Sequence, residues 1–170
     1  MSRFFPDYDP LKFNDTLPPY ADRSFPGVCW MKPQGSTQAF YARLRFTLNE
    51  KATIRFHVSG DRWFDLRLDG QFITDGPECS DSAHWCYSSF EEELMPGEHE
   101  FFARIVMLPA KLKPWNAMGG NCGFFFFAEA PFTELLSTGA GAWEFAIARS
   151  IVFPEDYGKA IYRLATGIPA

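Results

Sequence analysis

Two stretches of this 170-residue chain gather the side chains that bind or transform small polar molecules. The first, residues 75–85 (DGPECSDSAHW), brings Asp75, Glu78, Asp81, His84 and Trp85 into a segment dense in turn formers. The second, residues 109–121 (PAKLKPWNAMGGN), holds Lys113, Trp115, Asn116 and Asn121 between two strongly apolar runs. Sugar rings stack their C–H faces on aromatic side chains, while their hydroxyls need amides, carboxylates or guanidinium groups nearby. Trp115, Asn116, Asn121, His84 and Trp85 are therefore the candidate carbohydrate-binding residues. Loops at one end of a β-sandwich commonly converge, so the two stretches could form one shallow cleft. The competing and preferred reading has Trp115 plug the sandwich end.

Other chemistries find less support. Asp75, Glu78 and Asp81 offer hard oxygen donors of the kind that hold calcium, but the EF-hand pattern is missing and a metal-free loop is the better reading. No other cofactor is expected. Glu91, Glu92 and Glu93 are consecutive, so on a strand they alternate faces and do not converge as a glycosidase pair must. Ser80, Asp81, Ser82 and His84 suggest a hydrolytic set, yet no G-x-S-x-G elbow accompanies them. Gly119-Gly120 lacks the third glycine of a nucleotide fingerprint. Cysteines 29, 79, 86 and 122 form no C-x-x-C pair and only three histidines are present, which argues against zinc. Free buried thiols are favoured, with a Cys79 to Cys86 bridge as the alternative. A net charge of -5 without a basic run argues against nucleic acid, whose phosphates require clustered Lys and Arg.

The elements that must position these loops are strands. In residues 40–48, Phe40, Ala42, Leu44, Phe46 and Leu48 alternate with Tyr41, Arg43, Arg45 and Thr47, a period of two with one apolar face. The pattern restarts with Ile54, Phe56 and Val58, and again with Phe64, Leu66 and Leu68, ending in Asp69-Gly70, the dipeptide of a tight hairpin turn. Strands this closely spaced leave no room for crossover helices, so the sheet should be antiparallel. Residues 85–94 resume an extended segment, and 101–108 and 122–128 (CGFFFFA) are apolar on both faces. With 46% hydrophobic residues and 19 Phe, a sizeable core is available. The expectation is an all-β, two-sheet antiparallel jelly-roll sandwich with a core of Leu44, Phe46, Phe56, Val58, Phe64, Leu66, Phe101, Ile105, Phe124 and Phe126.

Three regions follow. Residues 1–27 are Pro-rich and aperiodic, and Phe4, Phe5, Tyr8, Phe13 and Phe25 are expected to anchor them to the sandwich edge, with a domain-linking or partner-binding arm as the alternative. Residues 28–130 form the sandwich, opening with a short strand near 28–31. Residues 131–170 are an extension with a helical turn near 133–137 and a strand near 143–149, packing on the sandwich or leading to a further domain. No apolar run is long enough to span a membrane and the N-terminus lacks a secretion signal, so a cytoplasmic protein is expected.

A family resemblance emerges from motif order. Cys29-Trp30, then Tyr41-Ala42-Arg43-Leu44-Arg45-Phe46, then Gly60-Asp61-Arg62-Trp63, then Leu68-Asp69-Gly70, then Asp75-Gly76-Pro77 resembles the N-terminal β-sandwich modules of bacterial α-L-rhamnosidases and related glycoside hydrolases. The likeness covers about residues 28–129 and includes the turn Leu94-Met95-Pro96-Gly97-Glu98-His99. It departs from the family at Asp69, where Asn is usual, and at Trp63, where Tyr is usual. The segment around Trp115 matches no transferable sugar-site motif.

The resemblance implies a galactose-binding-like fold. It also implies that catalysis resides in a separate helical-barrel domain carrying an acid and a base carboxylate. That barrel has no room within 170 residues, so the chain is expected to be a segment of a longer enzyme. Its role would be a non-catalytic accessory module that binds carbohydrate or supports the catalytic domain. A stand-alone binding or structural sandwich is the alternative. The polar strand residues Arg43, Arg45, Arg55, His57, Asp65, Arg67 and Asp69 are expected to form a cross-strand salt-bridge lattice, with a docking face for another domain as the further option.

Overall fold

The computed structural model describes residues 2–6, 29–35, 39–61, 63–76, 86–106 and 123–151. They form two antiparallel sheets. One contains four strands in the order β1 (Ser2–Phe4), β6 (Ser88–Leu94), β3 (Ala52–Gly60), β8 (Phe124–Ala128). The other contains five: β5 (Gln71–Gly76), β4 (Trp63–Leu68), β7 (Gly97–Val106), β2 (Ala39–Leu48), β9 (Glu144–Ile147). A short helix, α1 (Thr133–Leu136), lies between β8 and β9. It is the one helix among the described residues, and none is long and apolar enough to cross a membrane.

Among these strands only β4 and β5 form a hairpin between sequence neighbours. Its turn needs positive φ at both central residues, and Asp69 (50°) and Gly70 (78°) supply it. Every other connection passes from one sheet to the other, the wrapping of a jelly roll. Strands adjacent in sequence, such as β2 and β3, therefore face each other across the core.

Their inward faces meet in one apolar core. All ten residues expected there from alternation are buried in it. Phe56 is its hub, with its ring 5.6 Å from Phe90, 5.2 Å from Phe101 and 5.0 Å from Phe126. Residues 131–151 are integral to the sandwich: Leu136 is buried, β9 pairs with β2, and Trp143 packs 5.3 Å from both Phe124 and Phe126.

An edge strand exposes unpaired backbone groups unless something covers it. On β8, Phe124 exchanges both backbone hydrogen bonds with Met31, where residues 28–31 were expected to form a strand. The Phe126 N–H donates to Thr138 Oγ1 (3.2 Å), the Ala128 N–H donates to Ser137 Oγ (3.1 Å), and the Thr138 N–H donates back to the Phe126 carbonyl (2.8 Å). Gly141 comes so close to α1 that a Cβ would sit 2.5 Å from the Leu135 carbonyl oxygen.

At the other end of the four-stranded sheet, β1 pairs with β6. Phe4 anchors this opening segment as expected, with its ring 6.0 Å from His57 and Arg55 stacked over it at 5.3 Å. Phe5 does not, being 87% exposed.

Candidate functional site

Of the expected loop residues, the structure describes Asp75, which is exposed at the end of β5 and in register with Asp65. Glu78, Cys79, Asp81, His84, Trp85, Lys113, Trp115, Asn116 and Asn121 lie outside the described residues. No group of three His, Cys, Asp or Glu able to hold a metal occurs among the described residues. Gly76 and Cys86, the described residues on either side of 77–85, line a shallow surface depression together with Val58, Ser59, Phe64, Tyr87 and Ser88. Ser59 Oγ donates to the Cys86 carbonyl at 2.6 Å beside it.

The three glutamates on β6 behave as alternation requires. Glu91 pairs with Arg55 (2.6 Å) and Glu93 with Lys51 (2.7 Å) on the outer face, while Glu92 stands between the inward-facing Phe90 and Leu94. They do not converge.

The polar strand residues fall on two faces, because β2 and β4 lie in one sheet and β3 in the other. His57, expected in the cross-strand lattice, lies on the outer side of the four-stranded sheet and is fully buried there. Its ring is enclosed by Phe4, Tyr87 and Phe127 at 5.6 to 6.0 Å. Nδ1 lies 2.8 Å from Ser89 Oγ and Nε2 lies 3.0 Å from Glu129 Oε1. An ionised carboxylate only accepts, so Nε2–H donates to Glu129. Ser, His and Glu in line are the ingredients of a nucleophile set, but His57 is 0% and Ser89 3% exposed, so no acyl group reaches the hydroxyl. The trio satisfies its own buried polar atoms. Nothing in the sequence marks it, since Ser89 and Glu129 are 32 and 72 residues from His57.

The outer face of the five-stranded sheet carries the richest open chemistry. Trp63, Asp65 and Arg67 on β4, Phe102 and Arg104 on β7, and Tyr41 and Arg43 on β2 alternate with core residues and therefore point outward. Asp65 is buried at the base of this face, where Arg104 Nε donates to its Oδ2 at 2.7 Å and Arg67 Nε approaches its Oδ1 at 3.5 Å. Arg104 also lies 5.1 Å above the Trp63 ring. Tyr41 and Phe102 stack at 5.5 Å. Beyond them Arg43 donates from Nε and Nη2 to Glu144 Oε2, and Arg45 Nε donates to Glu100 at 3.0 Å. The mutual hydrogen bond and charge hold Glu144 below, and Arg43 above, their ordinary pKa values.

This is the cross-strand lattice expected from the sequence, built from partners that alternation alone does not identify. The outward aromatics were the available signal: Tyr41 and Trp63 occupy polar-face positions in otherwise regular strands.

At the lower rim, Asp69 is fixed by the Glu100 N–H to its Oδ1 (2.8 Å), and its Oδ2 meets His99 Nδ1 at 2.7 Å. His99 Nε2 faces the Met95 carbonyl at 2.9 Å. Burial lowers the His99 pKa, but the Asp69 and Met95 hydrogen bonds and the Asp69 charge outweigh it, and the net value is raised. Two acceptors around one ring favour the imidazolium.

The chain matches no protein-family model, and a search of curated proteins finds no match.

Proposed function

We propose that this chain is a non-catalytic accessory module of a glycoside hydrolase of the α-L-rhamnosidase type, with a galactose-binding-like sandwich that binds carbohydrate or supports the catalytic domain. The observation that carries this reading is where the motifs that resemble that family fall. Tyr41-Ala42-Arg43-Leu44-Arg45-Phe46 forms β2, Trp63 opens β4, Asp69-Gly70 is the one tight hairpin among the described strands, and Leu94 to His99 is the turn into β7. These motifs thus fall on strands and on the turns that join them. Glu91 and Glu93 are engaged with Arg55 and Lys51, and Glu92 is turned inward, so these three glutamates form no carboxylate pair.

Reading the genomic sequence on the 3′ side of the Ala170 codon tests the proposal. An in-frame helical barrel carrying an acid and a base carboxylate supports it. A stop codon there, or an in-frame domain unrelated to glycoside hydrolysis, overturns it in favour of a stand-alone sandwich.

A further inference from the structure

The outward side of the five-stranded sheet combines stacked aromatic rings with hydrogen-bonding groups already held in place. We propose that this face, centred on Trp63, Arg104, Phe102, Tyr41 and Arg43, is a binding platform for a neutral oligosaccharide. The proposal rests on the carbohydrate-binding arm of the function proposed above.

Three features of the face specify the ligand. First, one row across the sheet, Arg67 on β4, Phe102 on β7 and Arg43 on β2, sets a ring between two guanidiniums at the spacing of neighbouring strands, about 4.8 Å, and the next row sets Arg104 beside Tyr41. Each residue of an oligosaccharide presents an apolar pyranose face rimmed by hydroxyls, which a ring flanked by hydrogen-bonding groups can meet. Second, most of the charge on the face is already paired, four guanidiniums against three carboxylates: Arg104 and Arg67 share Asp65, Arg43 has Glu144 and Arg45 has Glu100. A ligand therefore gains little by carrying charge, whereas the remaining N–H groups and lone pairs suit hydroxyls. Third, the pairs fix these long side chains before any ligand arrives, which reduces the ordering entropy lost on binding.

A protein partner fits the face less well. Covering it would desolvate these ion pairs without supplying new partners, and the centres of protein interfaces are depleted of charge. Hydroxyls can join the same network while the pairs stay intact.

The test is chemical-shift mapping on the whole ¹⁵N-labelled chain, with the Trp indole and Arg Nε–H signals followed. The probes are neutral oligosaccharides of gluco, galacto, manno, xylo and rhamno configuration, together with uronic-acid oligosaccharides. The expected result is saturable shifts for Trp63, Arg104 and Arg43 with at least one neutral series, unchanged by added salt. Tyr41→Ala and Trp63→Ala should each weaken the affinity tenfold or more while leaving the melting temperature close to that of the parent. Tyr41→Phe, which keeps the ring, guards against misfolding and should retain most of the binding.

Neutral-sugar binding whose shifts fall only in residues 77–85 and 107–122 overturns the platform but leaves the carbohydrate-binding function standing. Salt-sensitive binding of uronates alone overturns the neutral ligand class. No binding of any sugar at millimolar concentration overturns both the platform and the carbohydrate-binding arm, and domain support is then the module's role.

Discussion

Replacing Asp65 by alanine removes the carboxylate on which two guanidiniums converge. The side chain is almost wholly buried, Arg104 donates to it at 2.7 Å, and Arg67 lies at 3.5 Å, too long for a strong bond. A hydrogen bond to a charged group contributes roughly 1.5–3 kcal/mol. Because the Arg104 side chain is 42% exposed, water recovers part of that loss, and the lower half of the range applies. Arg67 adds little. The expected loss is about 2 kcal/mol for Asp65→Ala, or about 4–8 °C in melting temperature for a chain of this size. Asp65→Asn keeps an acceptor oxygen for Arg104 and should lose about half as much. Urea unfolding followed by far-UV circular dichroism measures both, and a double-mutant cycle with Arg104→Met isolates the pair. A loss below about 0.5 kcal/mol for Asp65→Ala, the size of an ordinary surface substitution, would refute the view that this carboxylate organises the face.

The remaining expectations concern the scaffold. Leu66→Ala, at a fully buried site, should lose about 2–5 kcal/mol by urea unfolding. Thr138→Val leaves the buried Phe126 N–H without its side-chain acceptor and should lose about 1–3 kcal/mol, with faster hydrogen exchange confined to the edge of β8. His99 has a raised folded pKa, so its contribution is fully present below the unfolded value of 6.5 and is lost as pH rises through the folded value. Unfolding midpoints taken from pH 5.5 to 9 should therefore show parent and His99→Gln converging at the alkaline end. Parallel curves would contradict the Asp69–His99–Met95 arrangement.

Strands were legible because period-two alternation reports burial directly, and every core residue expected from β2, β3, β4, β7 and β8 is buried. Partners were not. Arg43 and Glu144 are 101 residues apart and Arg45 and Glu100 are 55 apart, and nothing local records which strands will meet. The burial of His57 was not legible for the same reason. Its place in the alternation is outward, but outward on the four-stranded sheet means beneath Phe4, Tyr87 and Phe127, an overlay set by tertiary packing. The hairpin turn needed only Asp69 and Gly70, two neighbours with a local backbone requirement, and was read correctly. The expected loop site lies almost entirely outside the described residues, with only Asp75 placed. The aromatic and guanidinium face was half legible: its residues stood in the outward register, while their convergence depended on β7 lying between β4 and β2.

The proposed function requires that the purified chain leave sugar uncleaved, and its carbohydrate-binding arm requires that the chain engage sugar. Proton NMR of rhamnose-containing oligosaccharides incubated with the purified chain tests both halves in one sample. The expected spectrum shows broadening and saturation transfer at sugar protons, with no new anomeric signals over days. New reducing-end signals, abolished by substitution of Glu91, Glu92 or Glu93, would contradict the non-catalytic assignment, and unaltered sugar resonances at millimolar concentration would contradict binding.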